Sequence, residues 1–71
     1  MAIDRRGVTS TTISTIGYDR EAQTLEIEFT KGGIYQYFDV PESEYEALMA
    51  ASSAGGYLAK NIRPRYRYAR V

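Results

Sequence analysis

The 71-residue sequence contains no cysteine, no histidine and no tryptophan. Without cysteine the protein has no disulfide and no thiol nucleophile. Without cysteine and histidine it lacks the usual zinc ligands. A catalytic pair would have to be built from hydroxyl, amine and carboxylate groups, and the sequence has no motif of that kind. We therefore expect a protein that is not an enzyme and that has no metal site and no cofactor.

Long hydrophobic runs are also missing from the sequence. No apolar stretch approaches the roughly 18 residues that a membrane-spanning helix needs, and residues 1–6 lack the apolar centre of a signal peptide. We expect no membrane partner and a cytoplasmic location. A chain this short buries only about 60% of its unfolded surface, so its core is small. We expect a homo-oligomer, because association is a common supplement to such a core.

The nine acidic and nine basic residues cancel, but they are unevenly distributed. All nine acidic residues and four of the basic ones lie in residues 1–56, whereas residues 57–71 contain no acidic residue. The basic residues of this last segment are Lys60, Arg63, Arg65, Arg67 and Arg70. The segment is either a solvated end of the chain or a surface that binds anions.

The clearest strand signal lies in residues 24–30. Leu25, Ile27 and Phe29 alternate there with polar residues, which predicts a strand with one face on the core and the other in water. The inner strand of the sheet is predicted farther along the chain, in residues 34–41, which lead into the main helix.

An earlier strand is predicted in residues 11–18, which are rich in β-branched residues. Its two isoleucines, Ile13 and Ile16, lie three positions apart and cannot share one face of a regular strand. We therefore expect either a β-bulge or a short strand that begins near Thr15.

Residues 34–40 form the stretch densest in β-branched and aromatic side chains, and the glycine-containing turn at residues 31–33 precedes them. A three-residue loop would pair Phe29 with Tyr35 and turn Tyr35 and Tyr37 toward the core. A two-residue turn would place both tyrosines on the opposite face. We favour the three-residue loop, because a glycine at its end is a common hairpin solution.

The main helix is predicted to begin at Pro41, with a capping box over residues 43–46. One stripe at helical spacing would face the sheet, and it consists of Tyr45, Leu48, Met49 and Ser52. The glycines of residues 53–56 are expected to end this helix. A short second helix over residues 57–62 and an edge strand within residues 65–71 follow.

The expected fold is α+β: a three- to four-stranded antiparallel sheet with one main helix packed on one face and a short second helix. Residues 1–10 are predicted to be a flexible N-terminal arm, and residues 11–71 a single domain. The predicted core consists of Leu25, Ile27, Phe29, Val40, Leu48, Met49, Leu58 and Ile62.

Two groups of residues are candidates for binding. A glycine-rich turn that opens a short helix exposes backbone N–H groups to an anion, although an ordinary helix C-cap explains the same glycines. The predicted phosphate-binding residues are Ser53, Gly55, Gly56, Tyr57, Lys60, Arg63 and Arg65. Tyrosines interleaved with arginines suit base stacking or an interface, and the residues predicted for that role are Tyr35, Tyr37, Tyr66, Arg67 and Tyr68. For Tyr35 and Tyr37, packing in the core is the alternative.

Several short motifs follow one another in a characteristic order: Tyr35-x-Tyr37, Val40-Pro41, Ser53-x-Gly55-x-Tyr57 and Ile62-Arg63. With this order and spacing, the chain from about residue 14 to residue 66 resembles the KTSC domain. That small domain is named for its place at the C-terminus of some lysyl-tRNA synthetases, and it also occurs as a free-standing bacterial or phage protein. The resemblance implies a binding module, and the synthetase context implies RNA as one ligand.

Three functions remain open from the sequence. The first is non-enzymatic binding of a nucleotide or cyclic dinucleotide at an oligomer interface, by analogy with small phage proteins that sequester immune signals. The second is RNA binding through the basic, tyrosine-rich C-terminal segment. The third is a protein-interaction or assembly domain in which the tyrosines and Met49 form the subunit contact and no small ligand is bound.

Overall fold

A computed structural model describes residues 3–71; residues 1 and 2, part of the predicted arm, lie outside the described residues. A five-stranded sheet in sequence order forms the frame, with every neighbouring pair antiparallel. Its strands are β1 (Arg5–Gly7), β2 (Ile13–Asp19), β3 (Thr24–Phe29), β4 (Ile34–Tyr37) and β5 (Tyr68–Arg70). The α+β class is confirmed, and the predicted number of strands is too small.

Helical structure separates β4 from β5. Helix α1 spans Glu42–Ala50 and helix α2 spans Ala54–Tyr57. A π-helical segment, Leu58–Ile62, continues directly from α2 and is called the π segment below. No helix among residues 3–71 is long and apolar enough to cross a membrane.

The irregular spacing of isoleucines in β2 is explained by a bulge. Ile13 lies opposite Phe29 and Thr15 lies opposite Glu28, so the register shifts between these two positions. The extra residue lets Ile13 and Ile16 both point into the core, where they are 0% and 1% exposed. Of the two predicted alternatives, a bulge or a short strand from Thr15, the structure has the bulge.

The hairpin between β3 and β4 determines where the tyrosines point. The Phe29 N–H donates to the Gly33 carbonyl at 3.1 Å, which leaves a three-residue loop. Tyr35 therefore lies opposite Ile27 rather than Phe29, so the predicted pairing is wrong by two residues. A slip of two residues keeps every side chain on its face, and Tyr37, opposite Leu25, is buried as the three-residue loop predicts.

The predicted N-terminal arm contains strand β1. Arg5 lies opposite Gly17 of β2, and a Cβ at Gly17 would come within 2.5 Å of the Asp4 carbonyl oxygen. The glycine thus allows β1 to lie close against β2. From β1, Arg5 Nε lies 3.2 Å from Glu26 Oε2, on the face of the sheet that points away from the core.

Helix α1 begins differently from the prediction. Pro41 is the N-cap rather than the first helical residue, and its carbonyl accepts the N–H groups of Glu44 and Tyr45. No side chain among residues 3–71 caps the helix, so the predicted capping box is not formed. Leu48 is the only fully buried residue of α1, whereas Met49 is 37% exposed and does not belong to the core.

The core lies between one face of the sheet and the helical segments. Its buried members are Ile13, Ile16, Leu25, Ile27, Tyr37, Val40, Leu48, Leu58 and Ile62. Phe29, predicted as core, is only partly buried at the rim. Ile13, Ile16 and Tyr37 were absent from the predicted core. The bulge breaks the alternation that would mark the two isoleucines as neighbours on one face. Tyr37 has a polar hydroxyl, so its type alone does not indicate burial.

Candidate ligand-binding groove

A groove of 420 Å³ opens on the core face of the sheet, near the end of β4 and β5. The hairpin loop, the residues before β2 and the end of the π segment form its walls. Its lining residues are Thr11, Thr12, Phe29, Thr30, Lys31, Gly32, Tyr35, Tyr37, Arg63 and Tyr68. The groove thus combines four aromatic rings, two cations and several hydroxyls without an acidic residue.

The aromatic rings form a continuous wall because adjacent strands bring them together. Tyr37 lies opposite Tyr68 across the β4–β5 pair, and their ring centroids are 5.6 Å apart. Tyr35 contacts Tyr68 at 5.8 Å and meets the edge of Phe29 at 5.4 Å. Tyr68 is 58% exposed, so this wall offers a ring to an incoming planar ligand.

Tyr37 is the deepest polar group of the groove. The residue is only 2% exposed, and burial raises the pKa of its hydroxyl while the positive charge of Arg63 opposes that rise. No hydrogen bond from a described residue to this hydroxyl is found, and every fully buried side-chain polar atom of residues 3–71 has a partner. Tyr37 therefore belongs to the core cluster and also lines the groove.

Cations border the groove on two sides. Arg63 follows the π segment and Lys31 lies in the hairpin loop, and no ion pair among residues 3–71 includes either of them. The Arg70 guanidinium lies 6.0 Å from the centroid of the Tyr35 ring, a cation–π distance. Positive charge and aromatic faces therefore occur side by side.

The floor of the groove is held by hydrogen bonds between the hairpin loop and the residues before β2. Thr30 Oγ1 donates to the Thr11 carbonyl at 2.9 Å, and the Thr30 N–H donates to the Thr12 carbonyl at 2.9 Å. This loop-to-loop contact fixes the threonines that line the groove.

The glycine-rich segment opens a helix instead of ending one. Ser53 is the N-cap of α2, and its Oγ accepts the Gly56 N–H at 3.1 Å. A Cβ at Gly55 would lie 3.1 Å from the Thr12 Cβ. Ser53 and Gly55 line a separate cleft of 350 Å³ that shares Thr11 and Thr12 with the groove.

Two other residues of the predicted phosphate-binding set, Tyr57 and Arg65, lie beside Glu44, a half-buried glutamate of α1. The Tyr57 hydroxyl donates to Glu44 Oε2, and the Tyr66 hydroxyl donates to Glu44 Oε1 at 3.0 Å. Arg65 Nη1 lies 3.9 Å from the same carboxylate. The Glu44 hydrogen bond, and then burial, raise the pKa of Tyr57. Burial, followed by the same carboxylate, raises the pKa of Tyr66.

The remaining predicted residues lie apart from the groove. Arg67 pairs with Asp39 at 3.0 Å and lies over the Phe38 ring at 5.7 Å. Lys60 is exposed and lines neither cleft. Tyr66 belongs to the turn after the π segment, so it does not alternate with Tyr68 along one strand as the sequence predicted.

Of the predicted residues, the structure brings Arg63, Tyr35, Tyr37 and Tyr68 together. Sequence reasoning missed the groove's hydroxyls and Lys31, whose only signal was a basic residue in the turn beside the tyrosine strand. It also missed Glu44 as a contact centre, because its two tyrosine partners lie 13 and 22 residues away in the sequence.

The polar face of the sheet is internally paired. Arg5 contacts Glu26 at 3.2 Å and Glu28 at 3.6 Å, Gln36 donates to Glu26 at 2.9 Å, and Thr15 donates to Glu28 at 3.1 Å. No group of three or more metal-ligating side chains occurs in the part of the chain that the structure describes.

A five-stranded antiparallel sheet, helices over one face and an aromatic, cationic groove define a small α+β domain with one candidate binding site. The sequence pattern of the KTSC domain matches residues 9–66. The chain therefore belongs to the KTSC domain family. Tyr68, one wall of the groove, lies just beyond the matched residues.

The similarity to known proteins covers most of this chain. The crystal structure of a KTSC domain protein from Yersinia pestis is 36% identical, covers 99% of each chain and gives a TM-score of 0.95. An uncharacterized protein from Stutzerimonas stutzeri is 38% identical over 94% of this chain and 96% of its own length. A lysine–tRNA ligase from Nostoc punctiforme is 39% identical over 79% of this chain, but the match covers 10% of the ligase.

Proposed function

We propose that this domain binds a small phosphate-bearing aromatic ligand, a nucleotide or cyclic dinucleotide, in the groove. The observation that carries the proposal is the joint presence of four aromatic rings and two cations, with no acidic residue, around 420 Å³. That volume lies within the usual range of small-molecule sites, about 300–1,000 Å³.

Each part of the groove matches one part of a nucleotide. The exposed ring of Tyr68 offers a stacking surface for a base. Arg63 presents a planar guanidinium that suits bidentate contact with a phosphate. The Tyr37 hydroxyl, at the deep end, is available for a hydrogen bond to the ligand.

The contacts of the carboxylates favour binding over catalysis, because the glutamates that share a sheet face are already paired. The two glutamates that share a sheet face, Glu26 and Glu28, are held by Arg5, Gln36 and Thr15, so neither is poised as a free base. The groove itself contains hydroxyls and cations but no general base beside a nucleophile.

Isothermal titration with AMP, GMP, CMP, UMP and cyclic dinucleotides tests the proposal. We expect one of them to bind, and we expect Arg63→Gln to weaken that binding about tenfold, because a hydrogen bond to a charged group contributes about 1.5–3 kcal/mol. Lys60→Gln is the matched control, since it removes one positive charge outside the groove.

Two results would overturn the proposal. One is the absence of binding by any nucleotide at millimolar concentration. The other is an equal loss of affinity in Arg63→Gln and Lys60→Gln, which would mean that only the net charge of the basic segment matters.

RNA binding is the second candidate, and the similarity to lysine–tRNA ligases favours it. The arginines of the C-terminal segment are less available than the sequence indicated, because Arg65 lies 3.9 Å from Glu44 and Arg67 pairs with Asp39. A single-stranded RNA bound along this segment would still reach Tyr68 and Arg63.

Salt and length separate the two candidates. RNA binding predicts affinity that rises with oligonucleotide length and falls steeply with salt, because each neutralised phosphate releases counterions. A nucleotide pocket predicts affinity that is the same for a mononucleotide and for a longer strand. Titrations of uridine oligomers of increasing length at two salt concentrations distinguish these outcomes.

A further inference from the structure

We infer that Glu44 is a positioning residue for the groove: it holds both ends of the chain segment that presents Arg63. As a statement about ligand affinity this rests on the proposed function, whereas as a statement about the placement of Arg63 it does not. Glu44 itself does not line the groove, so it acts through the tyrosines that it binds.

The Glu44 carboxylate is a largely enclosed charge whose acceptors are occupied. Its side chain is 11% exposed. One oxygen accepts the Tyr57 hydroxyl and the other accepts the Tyr66 hydroxyl at 3.0 Å. An enclosed carboxylate is costly unless it is hydrogen-bonded, so these contacts are strongly preferred over open alternatives.

The two tyrosines bracket the segment that carries the groove arginine. Tyr57 is the last residue of α2, and Tyr66 follows the π segment by four positions. Between them, the Arg63 N–H donates to the carbonyl of the first residue of the π segment at 2.9 Å, and the Tyr66 N–H donates to the Ile62 carbonyl at 3.1 Å. A fixed backbone between two fixed ends determines where the Arg63 side chain starts.

The same carboxylate distinguishes the two neighbouring arginines. Arg65 Nη1 lies 3.9 Å from Glu44 Oε1, and the Arg65 side chain is 64% exposed, so this contact is a weak one. No ion pair among residues 3–71 includes Arg63, which lines the groove. Of the two neighbouring arginines, Arg65 is therefore the one within ion-pair distance of Glu44.

Glu44→Gln tests this inference, since the amide keeps the shape of the side chain but replaces one acceptor by a donor. We expect amide hydrogen exchange to become about tenfold faster in residues 57–66, the loss typical of one hydrogen bond to a charged group, and the NMR signal of the Arg63 Nε–H to shift. Exchange at Ile27, in the core, should not change. We also expect AMP, or whichever nucleotide binds, to bind about tenfold more weakly.

Glu46→Gln is the control, because Glu46 lies on the same helix and is exposed. If Glu44→Gln does not fold, Tyr66→Phe removes a single hydroxyl and should give the same pattern at smaller size. Equal acceleration at Ile27 would overturn the inference, because Glu44 would then serve stability alone. Unchanged exchange and an unshifted Arg63 signal would overturn it too. If the wild type binds no nucleotide, the proposed function fails, and the exchange data still decide the role of Glu44.

Discussion

Tyr37 illustrates how one residue serves both the core and the groove. Its ring belongs to the buried cluster, and its hydroxyl has no hydrogen-bond partner among the described residues. The sequence left two roles open for it, core packing or contact surface. In the structure the one side chain belongs to the buried cluster and also lines the groove.

The variant Tyr37→Phe should distinguish the role of this residue in the core from its role in the groove. The ring remains, so we expect the free energy of unfolding to change by less than about 0.5 kcal/mol, as for substitutions that break no contact. Affinity for the bound nucleotide should fall several-fold, because the hydroxyl is available to the ligand. Urea denaturation and isothermal titration measure the two quantities. A large loss of stability with unchanged affinity would show that the hydroxyl serves the fold.

Single residues also mark the limits of prediction from sequence. The alternation of Leu25, Ile27 and Phe29 predicted the core face of β3 correctly, because burial on one face imposes period two. Glu44 carried no comparable signal, since its partners come from distant parts of the chain. Met49 has the right helical spacing for the core but is 37% exposed, whereas Leu48 is the buried residue of α1.

At the scale of elements, β1 is the addition that the sequence did not predict. Charged residues and a glycine without periodicity resembled an arm, yet edge strands commonly carry charge. The strand lies close to β2 because Gly17 has no side chain. The Arg5 side chain therefore passes over Gly17 and forms an ion pair with Glu26 of β3.

Gly17→Ala should destabilise the protein by about 1–3 kcal/mol, the usual cost of overpacking. The new Cβ would lie 2.5 Å from the Asp4 carbonyl oxygen and 2.8 Å from the Arg5 Cγ. Gly7→Ala, in β1, is the matched control, because its Cβ would meet no atom within 4 Å. Thermal unfolding of both variants measures the difference. Similar midpoints for the two would mean that β1 does not lie against β2 in solution.

The hydrogen bonds from Tyr57 and Tyr66 to Glu44 of α1 predict a pH dependence of stability. The pKa values of Tyr57 and Tyr66 are raised above 10.0 in the folded protein. Below pH 10 the folded and unfolded chains both keep these hydroxyls protonated, so the stabilisation is complete. Above pH 10 the unfolded tyrosines ionise first, so the free energy of unfolding falls as pH rises through the folded pKa values.

Urea unfolding at pH 8 and in steps above pH 10 measures this fall. We expect it to be shallower in the double variant Tyr57→Phe with Tyr66→Phe, which lacks both hydroxyls. An identical fall in the double variant and the wild type would contradict the assignment of these hydroxyls to Glu44.

Element boundaries depended on contacts that the sequence does not reveal. The glycines of residues 53–56 were expected to end α1, but they open α2 because Gly55 packs against Thr12 and the Ser53 hydroxyl caps the new helix. The hairpin register was wrong by two residues, an error that pattern alone cannot detect because it leaves the faces unchanged.

At the scale of the whole molecule, the sequence predicted the class and the family, while the groove required the fold. Phe29, Tyr35, Arg63 and Tyr68 are spread over 40 residues of sequence and meet only because the sheet and the π segment bring them together. The predicted phosphate-binding set is instead divided: Arg63 lines the groove, Ser53 and Gly55 line the neighbouring cleft, Tyr57 and Arg65 lie beside Glu44, and Lys60 lines neither cleft.

The small core and the exposed end of the chain bear on assembly. Tyr68 and Val71 are 58% and 65% exposed at the β5 edge, and we expect a homo-oligomer in which a second copy covers this edge beside the groove. Sedimentation velocity should give a mass above 8.0 kDa, and Val71→Asp should lower it. A monomer at all concentrations would contradict the expected assembly without affecting the groove.

The most direct test of the central claim is an NMR titration of the ¹⁵N-labelled protein with the nucleotides named above, with ribose 5-phosphate as a probe that lacks the base. A nucleotide should shift the amide signals of Phe29, Tyr35, Arg63 and Tyr68 and leave those of Glu26 and Gln36, on the opposite face, unchanged. Ribose 5-phosphate should shift Arg63 but not Tyr68. No shift at any concentration, or shifts centred on the opposite face, would contradict the claim that the groove is a nucleotide site.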